Sequence, residues 1–591
     1  MRNFIAFIWL VYFSWRALHG IGNLSFVRAS VFRPWRAQGA LASALCVLCG
    51  CGTEVAQTAT AGPRAEFDCS TPGANDLPEN AVFGDGSEPA SPLVGEGYAA
   101  SEGPGLFVAA RDAFRVYLNG ELVAASSAAR SPLFVPLTLL PGDNALSVVI
   151  QAKSGTPAAW LQLDELEQSY GSDANWKVST APARGYADAS FDDSAWSHAT
   201  DYGARQSALP GCESAMQFPT VVDARWIGPA PGLGSVAVLR KVVRIAAIGY
   251  GAGTTGGFGV APVVVSSWAD LQAAVSGSDA PAVVLLAEGD HDYRDTPRAQ
   301  AVCPSTCAND ASKPQYTVLV GSQTCAAALV NQNRTAHTLL VGSNKTLVGL
   351  GRGAQLRGLN IELGSSHNVI LRNLAVYDVN AKLTEAGDAF GLVKPSQVWL
   401  DHSTTKWISD GFTDLGAGTR GVTVSWLHYD GVTSDECDGE HTRAVTATES
   451  ELTLHHCFFD HVESHAPRVD GATTRVHLFD NLISDDLSYG VASSCGAEVL
   501  MEGNTFQRVA IPTERSSCTD GTALGSISAP PGSNFYGDDV GAHRGGDGQE
   551  PHDAVFTPPY AYAVEPPQSA WLTVLARAGA GGPWALPLAR D

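Results

Sequence analysis

Positive charge is scarce in this chain. Its 591 residues hold 37 Lys and Arg against 60 Asp and Glu, a formal net charge of −23. Phosphate backbones are held by clustered Lys and Arg, so this balance excludes a nucleic-acid partner. A polyanionic ligand would need metal ions to bridge like charges. Long apolar runs are also missing. "FIAFIWLVYF" (4–13) is too short to span a bilayer. Among the nine cysteines beyond residue 51 there is no paired CxxC cluster of the zinc-site kind. The glycine-rich "GYGAGTTGGFG" (249–259) is followed by no GK[ST] and fits no strand–turn–helix unit, which excludes a nucleotide site. Helical periodicity is scarce between residues 65 and 243.

What is present points to an exported protein of more than one domain. The length exceeds that of an ordinary single domain. In "RPWRAQGALASALCVLCGC" basic residues precede a small-apolar run that ends at cysteine. Residues 1–51 therefore read as a leader. "LCGC" resembles a lipobox, with Cys51 as the lipidated residue and the sole membrane attachment. Cys46, Cys49 and Cys51 fall in this leader. Cys69, Cys212, Cys303, Cys307, Cys325, Cys437, Cys457, Cys495 and Cys518 remain, an odd number whose pairing the spacing leaves open. Disulfides are the default after export. Residues 52–64 are small and polar, a linker.

From 65 to 243 short strands alternate with turns. "FRVYLNGELVAAS" carries the Asn119-Gly120 hairpin signal, and "LPGDNALSVVIQA" is a turn leading into a strand. The expectation is a β-sandwich. "VYLNGELV", "LLPGDNALSVVI", "DDSAW" and a late "LRK" resemble the galactose-binding-like jelly-roll modules of bacterial glycoside hydrolases. Trp160, Trp176, Trp196 and Trp226 are either sugar platforms or core. "SWADLQAAVSG" (267–277) reads as a short helix.

Between about 340 and 510 a quasi-repeat appears: "KTLVGLG", "HNVILRNLAV", "SQVWLDHSTT", "RGVTVSWLHY", "SELTLHHCFF", "TRVHLFDNLI" and "AEVLMEGNTF". Units this short bury their apolar faces only by stacking on one another. Val369, Leu371, Val398, Leu400, Leu452, Leu454, Val476 and Leu478 then form ladders inside a right-handed parallel β-helix. Asn373 and Asn481, at equivalent turns, suit side-chain bonding to turn backbone. The fold class is all-β, a β-helix preceded by a β-sandwich.

"VGSNKTLVGLGRGAQLRGLNIELGSSHNVILRNLAV" (341–376) and "GDAFGLVKPSQVWLDHSTTKWISDGFTDL" (387–415) closely resemble the pectate lyase family of polysaccharide lyases. The resemblance runs over 247–581 and leaves 582–591 as a tail. It implies a groove for an acidic, pectate-like polysaccharide, a Ca2+ requirement and a monomer. It also implies that Asp388, Asp410 and Asp414 hold the calcium. A hard cation with flexible oxygen coordination suits such carboxylates, and as a Lewis acid it neutralises a uronate carboxylate during proton abstraction. Asp401-His402 also match the family and read as turn residues, Asp401 being a further outer ligand.

The family pattern Arg-x-Pro-Arg-x-Arg-x-Gly becomes His465-Ala-Pro467-Arg468-Val-Asp470-Gly471 here. His465 stands where the presumed base stands, Arg468 keeps the middle arginine, and Asp470 replaces the carboxylate-binding one. The family's upstream lysine aligns with Ser434. The assignment that follows is His465 as proton acceptor, with Arg468 or Arg475 pairing the substrate carboxylate. A histidine's ordinary pKa of about 6.5 suits a base better than an arginine does. Two function classes follow: a secreted or cell-surface calcium-dependent polysaccharide lyase, or an uronan-binding or adhesion protein without turnover. Hydrolysis by paired carboxylates is a third class without a distinguishing pair.

Overall fold

The structure is a computed structural model describing residues 103–589 with interruptions, the longer ones at 127–131, 205–222, 307–313, 319–328, 382–386 and 434–442. The leader, the lipobox cysteine, the linker and Ser434 lie outside the described residues.

The first part is an antiparallel sandwich of two six-stranded sheets. Alternation in Ala113–Leu118 buries Phe114 and Val116 against Leu106, Val108, Val148 and Leu161 from both sheets. The hairpin turns where expected: Asn119 and Gly120 have φ of 51° and 92°, as a two-residue turn matching strand twist requires. The "DDSAW" and "LRK" motifs meet. Arg240 is 1% exposed, donates to the Tyr186 and Asp188 carbonyls, and pairs with Asp193. Trp160, Trp176 and Trp226 are core at 1–2% exposure, so they offer no sugar platform. Trp196 is half-buried, edge-on to Phe191.

The second part is the right-handed parallel β-helix. Its three sheets have ten, nine and eight strands. The first runs from Val263–Val265 to Ser526–Ser528, the second from Gly289–Asp292 to Phe535–Tyr536, and the third from His337–Leu340 to Thr513–Ser516. Each coil visits the sheets in that order. Val369, Val398, Val422, Leu452, Val476 and Val499 align rung on rung, as do Leu371, Leu400, Val424, Leu454, Leu478 and Met501. All are fully buried. A three-stranded antiparallel sheet, Pro297–Thr306, Pro314–Val318 and Leu329–Arg334, interrupts the coils. The expected helix forms over Trp268–Val275, with Ser267 capping the Asp270 N–H.

The glycine-rich segment lies along the outer side of the first sheet. Gly251 N donates to Thr423 and Gly257 N to Thr346. A Cβ on Gly257 would stand 2.0 Å from the Ala282 carbonyl oxygen, so close backbone approach accounts for the glycine. The sandwich rests on the same sheet: Ile370 and Trp399 belong to its apolar core. Cys495 and Cys518 form a disulfide, and Cys457 is a buried free thiol.

Candidate functional site

The third sheet has an outward row whose members are fixed by strand register. Glu362, Gly391, Asp414, Thr446, Arg468 and Ala492 stack in that order on successive coils. A flanking column enters the same strands: Asp388, Gly411, Arg443, Ser464 and Tyr489, linked by the bonds of the next residues. The predicted aspartates are therefore brought together. Asp388 accepts from Gly411 N at 2.7 Å, Asp410 precedes that glycine, and Asp414 follows on the strand Thr413–Leu415. Glu362, which the sequence reading missed, joins them one coil earlier.

The carboxylates raise one another's proton affinity. Burial, then Asp410 and Asp414, push Asp388 up to about 7. Burial and Asp410 raise Asp414, and burial raises Glu362 with Asp414 adding to it. Arg443 offsets part of this charge, donating from Nη1 to Asp410 Oδ1 at 2.8 Å. It too was missed. Motif spacing assigned the upstream cation to Ser434, but the coil register delivers Arg443 to the acidic coil.

These residues suit a calcium ion in kind. All offer hard oxygens, and their mutual repulsion is relieved by a cation. Gly391 leaves room for the donor beside it: a Cβ there would stand 2.1 Å from Glu362 Oε2. The oxygens do not form a closed cage. Among the described residues the group of ligand atoms lying within 4.8 Å of one another is Asp460, His461 and Asp485. That group follows the second sheet and is already satisfied, Asp485 by Arg508 and Asp460 by His428 and His461.

His465 is 7% exposed, with a φ of 65°, and precedes the cis Ala466-Pro467 bond. It is not a solvent-exposed turn residue. Its ring lies 5.6 Å from that of Tyr489. Arg468 is exposed on the outward row, and its guanidinium makes no hydrogen bond or ion pair with a described residue. Asp470 accepts from Ser494 Oγ at 3.0 Å.

Two assignments do not join this group. Arg475 starts the strand Arg475–Phe479 on the first sheet, beyond the intervening turn, and pairs with Glu498 at 3.3 Å. Asp401 is likewise on the first sheet, 1% exposed, held by Arg372, His402 and Ser425. Its carboxylate is structural and reaches no groove ligand.

The family model for pectate lyase matches residues 312–538. Pectin lyase B of Emericella nidulans is 31% identical over 48% of this chain and 76% of its own length. A probable pectin lyase A of Aspergillus terreus is 29% identical over 50% of this chain and 79% of its own. Among solved structures, pectate lyase II of Xanthomonas campestris overlaps at a TM-score of 0.42 and 23% identity, covering 58% of this chain and 100% of that one. By its identity to the Emericella enzyme across most of that relative's length, the chain belongs to the pectate lyase family.

Proposed function

We propose that the protein is an exported polysaccharide lyase that cleaves pectin or a related uronic-acid polymer by β-elimination on the open face of the third sheet. One observation carries the reading: an acidic cluster, an exposed unpaired arginine and a buried histidine occupy neighbouring coils of one sheet. His465 takes the proton from the carbon beside the carboxyl group as general base; the freed electron pair forms the carbon–carbon double bond as the glycosidic oxygen leaves the next carbon and takes a proton from water. Arg468 pairs with that carboxyl group and stabilises charge developing on it. Asp388, Asp410 and Asp414, with Glu362 beside them, would hold Ca2+, which when bound neutralises a uronate carboxylate. Arg443 pairs with Asp410 and competes with the cation for one of its oxygens. Arg475 has no part in this reading, since it stands on another sheet.

The sandwich (65–243) is an accessory galactose-binding-like module rather than a source of chemistry, and the leader exports the chain, with Cys51 as the anchor. The β-helix spans 247–581, and the protein acts as a monomer.

Absorbance of the unsaturated product tests the reading on pectin and on de-esterified polygalacturonate, each with calcium and with chelator. The parent should form that product. His465→Ala should lose orders of magnitude in rate, with calcium binding retained. Uronan binding without product in the parent would move the protein to the adhesion class. That alternative draws on Asp470, which puts a carboxylate where the family carries an arginine.

A further inference from the structure

Elimination moves a proton at both ends, and His465 accounts for only one of them. It removes the proton from carbon, while the departing sugar oxygen must gain one. A sugar alkoxide is strongly basic, so its departure is slow unless an acid protonates it as the bond breaks. The oxygen lies along the sugar chain from the carbon that loses its proton. A donor therefore belongs beside the base along the groove, on a neighbouring coil.

Coil register sets a phenol there. Ala466 N donates to the Gly490 carbonyl at 2.9 Å, which puts Tyr489 on the coil after His465. Rungs of a parallel sheet are about 4.8 Å apart. The two rings stand 5.6 Å from centroid to centroid, tilted by 52°. Tyr489 is half-buried, held by the fold and still partly accessible. Burial raises its pKa above the ordinary value, so the hydroxyl carries its proton at neutral pH. Arg468, and then the Ser464 hydroxyl bonded to the phenol, act the other way and favour the phenolate. Glu514 and Glu463 oppose them more weakly. The phenol thus holds a proton at rest, and the groups that stabilise its anion are already beside it. Neighbouring side chains are poorer donors. The Arg468 guanidinium does not give up its proton. Ser464 and Thr446 are aliphatic alcohols, less acidic than a phenol. Ala492 has no proton to give.

We propose that Tyr489 is the proton donor of the reaction, handing its phenol proton to the glycosidic oxygen as the bond to carbon breaks. The proposal rests on the lyase reading. His465 takes the proton from carbon, the electron pair becomes the double bond, and the leaving oxygen takes the Tyr489 proton. Water then returns a proton to the phenolate and removes one from the imidazolium, so water remains the net source. Arg468 steadies the phenolate, and Ser464 is a positioning residue that acts through the phenol.

The test compares two leaving groups in the intact protein. One substrate is pectin. The other is a short uronide whose breaking bond carries nitrophenoxide, which leaves without a proton. Tyr489→Phe keeps the ring and removes the hydroxyl. It should lose about a hundredfold in kcat on pectin and less than about threefold on the nitrophenyl substrate. Ser464→Ala should lose several-fold on pectin alone. In heavy water, pectin recovered from Tyr489→Phe should carry deuterium at the carbon beside the carboxyl group, because His465 still acts and the carbanion is reprotonated. His465→Ala should show neither exchange nor product. Equal losses on both substrates would overturn the proposal, as would a Tyr489→Phe variant that loses exchange together with turnover. A parent that forms product, with Tyr489→Phe equally fast on pectin, ends the proposal alone. A parent that forms no unsaturated product ends the lyase reading and the proposal with it.

Discussion

Arg443 shows how much a single side chain shifts the electrostatics of this site. Its guanidinium holds one oxygen of Asp410, which the aspartate would otherwise present to a cation. Arg443→Gln removes both that competition and a positive charge from the acidic block. Calorimetry should show calcium binding several-fold tighter in this variant, and weaker in Asp410→Asn. Gly391→Ala acts from the other side. Its new methyl overlaps the Glu362 carboxylate, the far end of a flexible side chain, so the carboxylate moves and the strand persists. Calcium binding should weaken while the melting temperature stays within a few degrees of the parent. The three aspartates were legible because they sit in motifs. Arg443 and Glu362 were not, since their roles come from coil register rather than from neighbours in sequence.

At the scale of elements, the turn between the first and second sheets carries two columns. Asn373, His402, Trp426, His456 and Asp480 all have φ between 42° and 59°, in the left-handed region. The residues after them include Cys457 and Asn481, and Asn504 follows Gly503, whose φ is 67°. Asn481 N donates to Asn504 Oδ1, and Asn504 N donates to Asn534 Oδ1, forming an amide ladder. Asn373 and Asn481 thus share a turn but stand one position apart. Both still donate to turn carbonyls, as their chemistry suggested. Asn504→Ala leaves buried backbone groups without partners and should cost about 1–3 kcal/mol in chemical denaturation.

The segment leading into the helix Pro567–Arg577 is fastened to the first sheet and its following turn. Tyr560 bonds His477 and Thr453, Tyr562 donates to Glu502, and Glu565 N donates to both Asp480 oxygens. Burial, with the Glu565 and Glu502 carboxylates adding to it, pushes Asp480 up to about 8. Its unfolded value is about 3.9. A carboxyl raised on folding stabilises when protonated, so that contribution is present at low pH and lost as pH rises from about 4 through about 8. Melting temperatures should therefore fall over this window, and Asp480→Asn should flatten the slope.

Across the whole molecule, the sandwich is tied to the β-helix by buried charge as well as apolar contact. Arg372 of the first sheet is 1% exposed between Glu165 of the sandwich and Asp401. Arg577 reaches the Glu165 and Leu166 carbonyls from the C-terminal helix. Arg372→Met leaves two carboxylates buried without their partner and should cost about 3–5 kcal/mol by denaturant titration. Excision of the sandwich uncovers Ile370 and Trp399, so the β-helix alone should be less soluble than the joined pair.

Local chemistry by itself determined the strands, the Asn119-Gly120 hairpin, the stacked apolar ladders and the motif aspartates. Alternation, turn residues and repeat length act between near neighbours, and near neighbours are what a sequence displays. Tertiary structure decided the rest. Coil stacking set Arg443 on Asp410 and Tyr489 beside His465, and carried Arg475 away to another sheet. It also buried Trp160, Trp176 and Trp226 as core and turned Asp401 into an interdomain anchor. Each of those outcomes depends on which residue meets which across a full coil or a domain boundary, where burial and unlike charge, rather than spacing along the chain, determine the contact.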